Sequence, residues 1–151
     1  MKKSFLIILC LALLSCVTGC KDSTQTLLKK SVEMEGISTD SMLVYLQQIQ
    51  SPNHLSDKQR AEYCFQLYKA TLWKTQKPKD SLLKVCIPLF LHVGDTAQWL
   101  QAQLEQANSF FYKDQPDSIL HSAWELRDKT EYMTPTQQRY YYNICLLYTS
   151  P

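Results

Sequence analysis

The chain has 151 residues, room for one ordinary domain. Its 45% hydrophobic and 11% aromatic content supports a core, while the three glycines, Gly19, Gly36 and Gly94, argue against a fold of many tight turns or a Gly-rich phosphate loop. Of the 16 basic residues, Lys2 and Lys3 lie in an N-terminal leader; the other 14 match 14 acidic ones, so the rest of the chain lacks the basic surplus that a nucleic-acid partner requires.

Lys2 and Lys3 precede an apolar run from Phe5 to Leu14. A bilayer-spanning helix takes roughly 20 residues, so this run has the proportions of a secretory signal instead. Val17-Thr18-Gly19-Cys20 follows: an aliphatic residue, small residues, then a thiol. It resembles the lipobox of bacterial lipoproteins, which implies a signal peptide over 1–19 and an acylated Cys20 as the mature N-terminus. Leu13-Leu14-Ser15-Cys16 is a second match, and an ordinary cleaved signal with an incidental cysteine is the plain alternative. Cys20 is preferred because a polar tether, residues 20–23, follows it. Several acyl chains, each contributing ~0.8 kcal/mol per buried CH₂, anchor a protein where one does not.

Residues 24–34 form a first expected helix, ended near Gly36. From there two kinds of helix start alternate. Asp40-Ser41-Met42-Leu43, Asp80-Ser81-Leu82-Leu83 and Asp117-Ser118-Ile119-Leu120 each read as an Asp cap before paired apolar residues, with Pro78 and Pro116 at the turns before the last two. Ser56-Asp57-Lys58-Gln59, Asp95-Thr96-Ala97-Gln98 and Thr134-Pro135-Thr136-Gln137 each place a capping side chain first and Gln three residues later. The caps at 56, 95 and 134 are 39 residues apart, twice over. Two interleaved series of nearly one period describe a two-helix unit. Its clearest copy is the pair Asp80–Val93 and Asp95–Tyr112, hinged at Gly94.

Apolar positions follow a helical period. The expected core stripes are Ala61, Cys64, Leu67 and Leu72; Leu100, Leu104, Ala107 and Phe111; Met42, Leu46 and Ile49; Leu82, Cys86, Leu89 and Val93; and Leu120, Ala123 and Trp124. Pro88 lies inside one expected helix, where it removes a backbone bond and predicts a kink. The fold expected is all-α: about seven helices after the signal peptide, in antiparallel hairpins over 24–148.

The lipobox, the Asp-Ser-aliphatic starts and the segment Leu55-Ser56-Asp57-Lys58-Gln59-Arg60-Ala61 together resemble tetratricopeptide-repeat lipoproteins of Gram-negative gut bacteria. The unit is nearer 39 residues than that family's 34. The resemblance implies hairpins stacked as a right-handed superhelix, lipid-anchored to the outer membrane, whose concave face binds extended peptide. Residues 145–151 resemble the conceptual translation of a sequencing adapter, and Pro135 opens a helix with no later partner, so the expectation is a truncated frame with a non-native tail.

No residue set announces chemistry. Cys64 and Cys86 fall on neighbouring helices and read as buried thiols, with a disulfide as the alternative. His54, His92 and His121 read as surface residues without metal-ligand spacing, and His92 favours a helix carboxyl end. Glu125 with Asp128, and Asp114 with Asp117, read as solvated charge, Asp117 as a cap. Trp73, Trp99 and Trp124, with Tyr140, Tyr141 and Tyr142, are the residues of most interest: packing elements in the main reading, exposed anchors for peptide or sugar in the other. The function expected is a non-enzymatic, membrane-anchored protein-binding scaffold without cofactor or metal; the alternatives are the exported sensor segment of a longer membrane regulator and a glycan-binding lipoprotein.

Overall fold

The computed structural model describes residues 23–149, with side chains described to residue 146. Cys20 and the signal peptide over 1–19 lie outside the described residues, and Ser23, the last residue of the expected tether, is already helical. The described residues are helical and contain no strand. They fall into two compact units that divide between Gln50 and Ser51.

The first unit holds α1 (residues 23–33) and α2 (Thr39–Gln47). Between them Gly36 takes φ +75°, a left-handed conformation in which a Cβ would be strained, and the N–H groups of Ile37 and Ser38 both donate to the Met34 carbonyl at 3.0 Å. Leu28, Met42, Leu46 and Ile49 are buried, as the α2 stripe predicts. The Lys30 ammonium lies 5.8 Å from the Tyr45 ring centre and ties the two helices together.

The second unit opens with a short 3-10 turn, Pro52–His54. It continues through α3 (Asp57–Thr75), α4 (Asp80–His92), α5 (Thr96–Phe111), α6 (Pro116–Leu126), a second 3-10 segment (Arg127–Tyr132) and α7 (Pro135–Thr149). Each helix packs on the next, and α5 also meets α7.

The Gln-containing starts all cap as expected, and the last of them adds the expected return bond from Gln. Ser56 accepts the Gln59 N–H at 3.4 Å, and Asp95 accepts the Gln98 N–H at 3.1 Å. Thr134 and Gln137 form a full reciprocal box: Thr134 Oγ1 accepts the Gln137 N–H at 3.3 Å and Gln137 Oε1 accepts the Thr134 N–H at 3.0 Å. At Ser56 the reciprocity is different, because the Ser56 hydroxyl donates to Gln59 Oε1 at 3.1 Å. The buried Gln137 reaches further, donating from Nε2 to the Ala97 carbonyl in the first turn of α5 at 2.9 Å.

The Asp starts do not cap. Ser38 caps α2, accepting the Ser41 N–H at 3.2 Å; Lys79 and Gln115 precede α4 and α6 without a side-chain cap. Asp40, Asp80 and Asp117 sit inside the first turns, where their charge meets the positive end of the helix dipole. The cause is local: Pro116 has the fixed φ of a first helical residue and draws the start of α6 back by two positions, and extended Ser38 supplies its own hydroxyl. Asp80 instead pairs with Lys113 beyond the end of α5.

The hairpin turns share one device. After α4, Asp95 N–H donates to Phe90 O at 2.9 Å and Gly94 N–H to Leu91 O at 3.2 Å, with Gly94 at φ +73°. After α5, Gln115 N–H donates to Phe110 O at 3.0 Å and Asp114 N–H to Phe111 O at 3.1 Å, with Asp114 at φ 54°. Both are Schellman closures, with Asp114 standing where Gly94 stands in the other. After α3 the left-handed residue is Gln76, φ 56°, whose N–H donates to Leu72 O at 2.7 Å.

Two clusters form the core of this unit. In the first, Ala61, Cys64, Phe65, Tyr68 and Leu72 of α3 meet Leu83, Cys86 and Phe90 of α4 and Ala102 of α5. Phe65 and Phe90 pack edge to face with ring centres 5.8 Å apart. In the second, Leu100, Leu104 and Ala107 of α5 meet Ile119, Ala123 and Leu126 of α6, then Met133 and, from α7, Tyr141 and Ile144.

Several expected stripes are corrected by these clusters. On α4 the buried line is Leu83–Cys86–Phe90, one residue round from Leu82–Leu89–Val93, and Pro88 lies on the exposed side within a helix that runs through to His92. On α6 it is Ile119–Ala123–Leu126, leaving Leu120 and Trp124 outward. Phe111 is exposed at the end of α5, and Leu67 is only half-buried. In each case adjacent apolar residues offered two helix faces, and the neighbouring helix selected one.

Candidate functional site

The sequence-level candidates separate once placed. Cys64 and Cys86 are both buried, both free, and share the first cluster. Burial pushes the Cys64 thiol up from its ordinary value, and burial, with the neighbouring Cys64, pushes Cys86 up from 9.0 to about 12. These are inert apolar fillers. His92, in the last turn of α4, stands 3.8 Å from the Asp57 carboxylate. His121 does have an acidic partner on its own helix face, contrary to the sequence reading: Glu125, one turn on, at 3.8 Å. Both pairs are exposed, and no group of three metal-ligating side chains occurs among the described residues.

Asp128 does not join Glu125. The Arg127 guanidinium binds it at 2.9 and 3.4 Å, and that hydrogen bond and charge hold the Asp128 carboxyl below the usual carboxylate range. Asp114 is absorbed by its left-handed turn.

Two of the three consecutive tyrosines pack. Tyr141 is buried in the second cluster, its phenol pushed up to about 12 by burial and by a hydrogen bond to Cys145. Tyr140 is half-buried and hydrogen-bonded to the Glu105 carboxylate; burial first, and then the Glu105 charge, raises its phenol. Tyr68 donates to the Glu105 backbone carbonyl at 3.3 Å, so Glu105 of α5 is bridged to both α3 and α7. Tyr142 is 54% exposed. Trp73, in the last turn of α3, is exposed.

Trp99 and Trp124 come together with residues that pattern reading passed over. The connection from α6 to α7 is the longest in the second unit, and it is ordered. Thr130 Oγ1 donates to Arg127 O at 3.0 Å, Gln138 Nε2 donates to Thr130 O at 2.9 Å, and buried Met133 plugs the end into the core. Held in this way, the 3-10 segment lays two cations on two indoles. Lys129 Nζ is 4.8 Å from the Trp99 ring centre, and the Arg127 guanidinium is 4.2 Å from that of Trp124.

Two clefts open on either side of Lys129. One, about 270 Å³, is lined by Thr96, Trp99, Leu100, Lys129 and Tyr132; it is mainly apolar. The other, about 330 Å³, is lined by Gln103, Ser122, Glu125, Leu126 and Lys129; it is mainly polar. Trp99 is half-buried and touches both core clusters, so its ring is held from behind. Trp124 and Tyr132 are 67% and 65% exposed, which corrects the packing reading for Trp124. The 127–134 connection, longer than those at 76–79, 93–95 and 112–115, was the one sequence signal for Lys129 and Tyr132.

No family model, curated protein or solved structure matches this chain.

Proposed function

We propose that this protein is a tetratricopeptide-like, non-enzymatic binding scaffold, held at the outer membrane of a Gram-negative cell envelope by lipid on Cys20, and that it engages a segment of another protein. The observation that carries the binding reading is the pair of clefts about Lys129. A capped, repeating helical frame holds ring faces, an ammonium, an amide and a hydroxyl outward around them. Rigid aromatic anchors beside a fixed cation are the composition of binding hot spots. The anchor reading rests on Val17-Thr18-Gly19-Cys20, and no described helix is long and apolar enough to cross a membrane.

The test has two arms. Mass spectrometry of the membrane fraction should show acyl chains on the wild-type chain and none on Cys20→Ser, which should leave the membrane; a Cys20→Ser chain that stays lipidated sinks the anchor. Crosslinking in whole envelopes, with the full chain as bait, should give one reproducible protein partner. Turnover of a substrate that one point substitution abolishes would replace the scaffold with an enzyme.

A further inference from the structure

Resting on that scaffold reading, we infer that the partner presents a short apolar–acidic peptide: an apolar side chain enters the cleft of Trp99, Leu100 and Tyr132, and a carboxylate beside it pairs with Lys129. The cleft, at about 270 Å³, lies just under the range that holds a whole drug-sized ligand, so it suits one inserted side chain. Its lining supplies two aromatic rings, a leucine and a threonine, with Lys129 as its only charge.

The acidic neighbours of Lys129 lie near it without closing on it. Asp128, whose carboxyl feels the Lys129 charge, is bonded by Arg127; Glu125 lines the second cleft, 3.8 Å from His121; and Glu131 takes a hydrogen bond from the Tyr132 hydroxyl. Lys129 rests on the Trp99 ring, with no carboxylate at ion-pair distance among the described residues. A carboxylate arriving at the cleft mouth therefore meets an ammonium that is already positioned and has no competing pair to break. Beyond Lys129, the Gln103 amide and the Ser122 hydroxyl line the second cleft and take part in no hydrogen bond among the described residues. They can serve the backbone of an extended peptide crossing the Lys129 ridge, polar on one side and apolar on the other.

The experiment measures fluorescence anisotropy of labelled octapeptides that differ only at the central pair, Leu-Asp, Leu-Lys or Ser-Asp, against the full chain; a labelled oligosaccharide forms a fourth arm. The Leu-Asp peptide should bind about tenfold tighter than the other two, the scale of one buried anchor or one charge pair. Lys129→Glu should invert the order of Leu-Asp and Leu-Lys. Thr96→Trp, which fills the cleft and keeps the charge, should weaken Leu-Asp binding with circular dichroism unchanged. Equal affinity for Leu-Asp and Leu-Lys, or an order that Lys129→Glu leaves alone, overturns the inference. If an envelope partner still crosslinks equally to the wild type, Lys129→Glu and Thr96→Trp, the scaffold stands and this cleft is not its site. Binding of the oligosaccharide with no peptide binding overturns both.

Discussion

The α3–α4 hairpin and the α5–α7 region use the same capping devices but place their aromatic residues differently. In the first, Phe65, Tyr68 and Phe90 are all sealed in one cluster. In the second, small and aliphatic residues fill most of the centre, and Trp124, Tyr132 and Tyr142 stand outward. A ring sealed between helices contributes burial; a ring held at the surface beside a cation contributes recognition. On the proposed function, the α3–α4 hairpin is the support and the α5–α7 region is the face.

The sharpest test of that division is the cost of deleting a ring. Phe65→Ala should cost about 3–5 kcal/mol, the range for emptying an aromatic site in a core, seen as a lower denaturation midpoint in urea. Alkaline titration comes next. Cys86 is neutral when folded and its thiol is raised from 9.0 to about 12, so unfolding is favoured once the unfolded thiol ionises. The stability it contributes is complete below about pH 9 and is lost as pH rises toward 12, by on the order of a few kcal/mol. Cys86→Ala should show a shallower decline; identical slopes would place the effect on other groups.

Gln137→Ala should cost about 1–2 kcal/mol, because it removes half of the box at Thr134 and leaves the Ala97 carbonyl short of a donor. Hydrogen exchange at the start of α5, and not of α3, should quicken. Gln76→Gly should stabilise by about 0.5–1 kcal/mol, since a side chain there occupies left-handed backbone. Smallest of all, Trp124→Ala should stay within about 0.5 kcal/mol; a cost near that of Phe65→Ala would erase the contrast between the two regions.

Helix content, the 39-residue spacing of the Gln-containing starts and the hinge at Gly94 were legible because each depends on contacts within a few residues. The Asp-Ser series was legible as helix starts and misleading as caps, since Pro116 and Ser38 shifted the first turns. Burial on α4 and α6 could not be read, because Leu82 beside Leu83, and Ile119 beside Leu120, satisfy a helical period on two faces. Trp99 was singled out for its chemistry. Its companions Lys129 and Tyr132 were not, because only the packing of Met133 and the Gln138–Thr130 bond bring the 3-10 segment over α5.

The amide of Gln137 ties the opening of α7 to a carbonyl 40 positions upstream. During synthesis, then, the first turn of α5 leaves the ribosome long before its clasp exists and stays loosely fastened until α7 has emerged. The region bearing the clefts is therefore not closed until α7 has followed it out.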